Sequence, residues 1–167
     1  MKRLLLFISF ITLCFHMYAV EEVFASITTS FRAETGIEAG FTHSAVSGIS
    51  RPAGSYPDGT EISFVYNTST SSFEIDNLHY YVQVFTIEGA SFSITCDDMV
   101  SVSAKIPSSD IVMNISGENG GSYRETEAPY RYPRVYTGDI RLSIPMGKIT
   151  DTTAAYRGRL TLEVTSI

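Results

Sequence analysis

SITTSFRAETGIEAGF, residues 26–41, is the stretch on which the fold turns. Taking every second residue from Ile27 gives Ile27, Thr29, Phe31, Ala33, Thr35, Ile37, Ala39 and Phe41, all apolar or weakly polar. Between them stand Ser26, Thr28, Ser30, Arg32, Glu34, Gly36, Glu38 and Gly40. A period of two belongs to an extended strand, whose successive side chains point to opposite faces. A strand is usually about 5–6 residues long, so a run of this length needs an explanation. The open question is whether it fills the core of its own chain or that of another.

Short alternating runs recur behind it. TEISFVYN puts Ile62, Phe64 and Tyr66 on one face. NLHYYVQVFTIEG puts Leu78, Tyr80, Val82 and Val84 on one face and Tyr81, Phe85 and Ile87 on the other. ASFSITC offers Phe92, Ile94 and Cys96; MVSVSAKIP offers Val100, Val102, Ala104 and Ile106; DIVMNISG offers Ile111, Met113 and Ile115. GDIRLSIPMG offers Ile140, Leu142, Ile144 and Met146, and GRLTLEVTS ends the series with Leu160, Leu162 and Val164. Segments such as RPAGSYPDGT, NTSTSS and SGENGGS carry turn chemistry, because Gly, Asn and Asp tolerate positive φ and Pro fixes it. Short strands at this spacing, with no helical period between them, predict an all-β antiparallel sandwich.

The ends bound the compartment. Lys2 and Arg3 precede an apolar run over residues 4–15, followed by small residues. This has the build of a secretory signal peptide, and the run is short for a bilayer span. Cleavage after Ala19 and after Ala25 both fit, so residues 1–25 are assigned to the leader. Either cut leaves about 140–150 residues, the size of one domain with a core of its own. The whole-chain charge of −6 argues against nucleic acid as a partner. Removing the leader removes Cys14 and leaves Cys96 alone, so an internal disulfide is excluded in the exported chain. Cys96 is expected to act as a small apolar residue rather than a reactive thiol.

Catalytic chemistry is not indicated, and neither a metal nor a cofactor is expected. His43 and His79 are far apart and outside metal-ligand spacing. Asp97 and Asp98 are adjacent, so in a strand they would face opposite ways, which is poor geometry for paired acid–base work. One patch has binding character: YRETEAPYRYPRVY, with Tyr123, Arg124, Tyr130, Arg131, Tyr132 and Arg134. Tyr and Arg combine large contact area with directed hydrogen bonds. Against that stands a plain surface loop whose arginines pair with Glu125 and Glu127.

VEEVFASITTSFRA (residues 20–33) and TAAYRGRLTLEVT (residues 153–165), the latter a Tyr-x-Gly turn into an alternating strand, bracket the chain. Together they resemble the subunits of bacterial fimbriae assembled by a periplasmic chaperone and an outer-membrane usher. The similarity is to the cysteine-free pilins of enterotoxigenic coli-type colonisation fimbriae. The resemblance implies an immunoglobulin-like sandwich lacking one strand, completed by the N-terminal extension of a neighbouring subunit. On that reading residues 26–36 form the donor extension and residues 37–167 the pilin-like body. Ile27, Thr29, Phe31, Ala33 and Ile37 would be the inserted side chains, and Gly36 the joint to the subunit's own first strand. Leu160, Leu162 and Val164 would lie on the C-terminal edge strand that receives the donor. The implied partners are other pilus subunits, the chaperone, the usher and a host-surface receptor, with the cell surface as the destination. The alternative is a self-contained secreted sandwich that binds carbohydrate or protein.

Overall fold

A computed structural model describes residues 24–33, 36–46, 54–85, 90–117 and 134–166. Its strands are β1 (Phe24–Arg32), β2 (Ile37–Thr42), β3 (Glu61–Ser63), β4 (Val65–Asn67), β5 (Ser72–Val84) and β6 (Ala90–Cys96). They continue with β7 (Met99–Val100), β8 (Lys105–Ile106), β9 (Val112–Ile115), β10 (Arg134–Pro145) and β11 (Ala155–Ser166). Among the described residues the helical pieces are two single 3-10 turns, Ser108–Asp110 and Met146–Lys148. Each follows a proline, whose fixed φ suits the entry to a tight turn.

The strands form two sheets. One has the order β3-β1-β11-β7-β8, with β6 continuing the edge of β11 beyond β7. The other has the order β2-β5-β10-β9, with β4 sharing the edge of β5 with β2. They pack face to face through Phe92 of β6, whose ring centroid lies 5.6 Å from Tyr80 and 5.8 Å from Tyr136. Ile27, Phe41, Leu78, Ile140, Leu160 and Leu162 are among the buried side chains between the sheets. The chain is therefore the all-β sandwich that the alternation predicts.

The opening stretch is divided at Gly36, which has φ +83°, where only glycine is free of strain. Its two halves enter different sheets, β1 beside β11 and β2 beside β5. TEISFVYN, expected as one strand, likewise splits at Phe64: β3 pairs with β1 and β4 with β5. Phe64 is buried at the crossing, and its N–H donates to the Ala25 carbonyl at 2.9 Å.

MVSVSAKIP is a tight hairpin, not a strand. Ser101 N–H donates to the Ala104 carbonyl at 2.8 Å, and the Ser101 hydroxyl accepts from Ala104 N–H at 2.8 Å. The turn reverses the register, so Met99 and Ile106 are buried while Val100 and Val102 face solvent. A side-chain-to-backbone turn at Ser101 overrides the apolar period there.

The Tyr-x-Gly segment also departs from expectation, since Tyr156 and Gly158 lie inside β11 rather than in a turn. A Cβ on Gly158 would stand 2.9 Å from Met99 Cγ, so glycine there admits the methionine.

Cys96 ends β6 half-buried against the core. Burial and then Asp97 and Asp98 push its thiol up to about 11. At neutral pH the thiolate is therefore scarce, and thiolate is the reactive form. Labelling of folded protein by a disulfide reagent at neutral pH is expected to be at least about tenfold slower than in urea. Equal rates would show that the strand end opens freely.

Candidate functional site: a strand-shaped groove

β1 lies as a separate ribbon between two neighbours contributed by distant parts of the chain. It runs parallel to β11 from Phe24 opposite Ala155 to Arg32 opposite Glu163, and antiparallel to β3 from Ser26 opposite Ser63 to Thr28 opposite Glu61. Its inner face carries Ala25, Ile27 and Thr29, at 2 %, 0 % and 1 % exposure. Ile27 is opposite Gly158 on one side and Ile62 on the other, so its branched side chain meets no competing bulk from β11. Full burial of such a side chain is worth about 1.5–3 kcal/mol.

Thr29 is a polar side chain inside the groove and is satisfied locally. Its hydroxyl donates to the Thr60 carbonyl at 3.3 Å, its N–H donates to the same carbonyl at 2.9 Å, and its own carbonyl accepts from Gly59 N–H at 2.8 Å. The Ser26 hydroxyl donates to Glu61 Oε1 at 2.5 Å on the outer side. The loop over residues 57–60 thus closes the far end of the groove by hydrogen bonds, where β3 has not yet begun.

The other end of the groove lies at Ala25. A hollow of about 240 Å³ lies beside Ala25, bounded by Ser63, Phe64, Tyr156 and Arg157. Tyr156 is fully buried, and its hydroxyl accepts from Asp151 N–H at 3.1 Å.

The expected donor residues are only partly brought together. Ile27, Thr29 and Phe31 share β1, with Phe31 opposite Leu162, and half-buried Ala33 follows the strand. Ile37 does not belong to this ribbon: it opens β2 opposite Val84 in the other sheet. The positive φ at Gly36 breaks the strand, although the apolar period runs through it.

The strand expected at the C-terminal edge is β11, and β1 lies against it. Leu160, Leu162 and Val164 are buried in β11, which is flanked by β1 on one side and by β6 and β7 on the other. It is an interior strand because β1 covers the side that would otherwise be open. Tyr123, Arg124, Tyr130, Arg131 and Tyr132 lie outside the described residues, and Arg134 opens β10 opposite Val84.

A second polar group sits on the outer face of the other sheet. His79 Nδ1 and Asp139 Oδ1 are 2.6 Å apart, and the Ser116 hydroxyl donates to Asp139 Oδ2 at 3.1 Å. The His79 hydrogen bond, followed by that of Ser116, holds Asp139 below the usual carboxylate range. The carboxylate stands between the imidazole and the hydroxyl, so the histidine is not placed to take the serine proton as a nucleophile triad requires. The cluster ties β5 to β10 and to the residue that follows β9. Among the described residues no group of three or more His, Cys, Asp or Glu could hold a metal ion.

Sequence reasoning found β1 and β11 but not their third partner. Glu61, Ile62 and Ser63 give no signal of pairing with β1, because three residues are too short for a period to register. No protein-family model matches this chain, and no curated protein matches it.

Proposed function

We propose that this chain is a structural or adhesive subunit of a surface fimbria built by a chaperone and an usher. It would polymerise by inserting its N-terminal strand into the groove of a neighbouring subunit, with no enzymatic role. The observation that carries this reading is the seat of β1: the first of the described strands, hydrogen-bonded on both edges and followed by residues 33–36 before β2 enters the other sheet. Removing such a ribbon exposes two unpaired strand edges with an apolar floor. This is the arrangement that takes up an added strand, with main-chain hydrogen bonds for affinity and alternate side chains for specificity. The resemblance of both chain ends to fimbrial subunits supplies the rest. It also carries the proposed signal peptide, the route through the periplasm to the cell surface, and attachment as the outcome.

A self-contained binding module is the second reading, favoured by the complete burial of Ile27 within its own chain. The two differ in what deletion does. Without residues 26–36, a fimbrial subunit is expected to give a body that no longer oligomerises and binds a peptide of that sequence in trans. A truncated protein that remains as stable as the full chain and ignores the peptide would end the fimbrial reading.

A further inference from the structure

We infer that Asn114, Ser116, Asp139 and Arg141 form a shallow binding site for a neutral sugar on the outer face of the sheet that holds β5, β9 and β10. The site lies in the other sheet from β1 and its groove. It rests on the fimbrial reading above only for its use in attachment; the binding itself belongs to the single chain.

The array follows from register. Arg141 of β10 stands opposite Asn114 of β9. Two residues away along each strand Asp139 meets Ser116, whose N–H donates to the Asp139 carbonyl at 2.9 Å. Residues two apart on a strand share a face, with about 7 Å between their Cα atoms. The intervening Ile140 and Leu142 are buried in the core, so these four side chains point the other way, and all four are exposed. They border a hollow of about 360 Å³, a volume within the range of small-ligand sites.

The carboxylate is set before any ligand arrives. Asp139 Oδ1 lies 2.6 Å from His79 Nδ1, and Oδ2 accepts from the Ser116 hydroxyl at 3.1 Å. Both oxygens are thereby oriented, and each has a further lone pair to offer. The group stands on paired strands rather than on a loop, which keeps its aim.

Charge then selects the ligand. Asp139 accepts hydrogen bonds, while Arg141 and Asn114 donate them. An anion that meets Arg141 is opposed by Asp139, and a cation that meets Asp139 is opposed by Arg141. A sugar is neutral, and each of its hydroxyls both donates and accepts. One hydroxyl donates to Asp139 while another on the same ring accepts from Arg141 or Asn114.

Saturation-transfer difference spectroscopy reads such binding on monomer and polymer alike. The probes are methyl galactoside, methyl mannoside and N-acetylglucosamine, with glucuronate as the acidic counterpart. At least one neutral sugar is expected to give a saturable signal with a Kd on the order of 1 mM, as few exposed hydrogen bonds allow. Arg141→Ala should weaken it at least about tenfold, by the loss of a charge-assisted hydrogen bond, with an unchanged melting temperature. Arg157→Ala, an exposed arginine of the other sheet, is the control and should bind as the unaltered chain does.

No saturable signal from the three neutral sugars, an equal signal from Arg141→Ala, or a preference for glucuronate overturns the site. A chain that polymerises without binding any of them overturns the site and leaves the fimbrial reading standing. Binding that is lost in Arg141→Ala, from a chain that neither polymerises nor takes up the peptide of residues 26–36, supports the site and ends the fimbrial reading.

Discussion

The Ile27→Asp substitution is expected to unfold most of the protein at room temperature and to abolish polymers. Ile27 is fully buried between the two sheets, opposite Gly158 and Ile62. The change removes about 1.5–3 kcal/mol of apolar burial and places a carboxylate in a core where, among the described residues, no Lys or Arg is buried. The combined loss is on the order of 4–5 kcal/mol, close to the whole stability of a marginal domain. Ile27→Val, which keeps shape and polarity, should cost only about 0.5–1.5 kcal/mol. Urea denaturation read by circular dichroism measures both. A peptide of residues 24–33 with the native isoleucine should restore cooperative unfolding to the aspartate variant. On the fimbrial reading proposed above, the defect lies in β1 and leaves its groove intact. Failure of the peptide to rescue would show that β1 folds with its own body and cannot be exchanged.

Gly138→Ala should be nearly as damaging, for a purely local reason. A Cβ at this position would stand 1.8 Å from the Ser116 carbonyl oxygen and 2.7 Å from Tyr80 Cε1. The first contact is with backbone, so relief requires β9 to swing away from β10, breaking the 2.9 Å bond from Ser116 N–H to the Asp139 carbonyl. The second contact pushes on Tyr80, a fully buried ring packed on Phe92. A loss of about 2–4 kcal/mol follows, or a fall in melting temperature of roughly 10 °C. Hydrogen exchange should show residues 112–116 losing protection first, because among the described strands β9 pairs with β10 alone. Gly147→Ala, where an added Cβ meets no atom within 4 Å, is the control and should leave the melting temperature unchanged.

These sites show which parts of the molecule were legible in its residues. The period of two at Leu78, Tyr80, Val82 and Val84, and again at Leu160, Leu162 and Val164, is enough to predict β-strands with one inward face, and those faces are buried. Where a turn is made by a side chain, the pattern misleads. Val100 and Val102 read as core and stand exposed, because the Ser101 hydroxyl closes a hairpin that no apolar count can register. The parallel partnership of β1 with β11 joins residues more than a hundred positions apart, and the span of β3 is too short to advertise itself.

The residues alone determined that this chain is a β-sandwich and that one face of its opening stretch belongs inside a core. Both follow from local rules: alternation and turn chemistry. The break at Gly36 came from the fold, since the apolar period runs through it. Only the tertiary structure decided which core that is. Polarity and pairing depend on where distant strands meet, so it took the fold to place Ile37 in the opposite sheet and make β11 an interior strand. It also took the fold to show β1 parallel to β11 within its own chain.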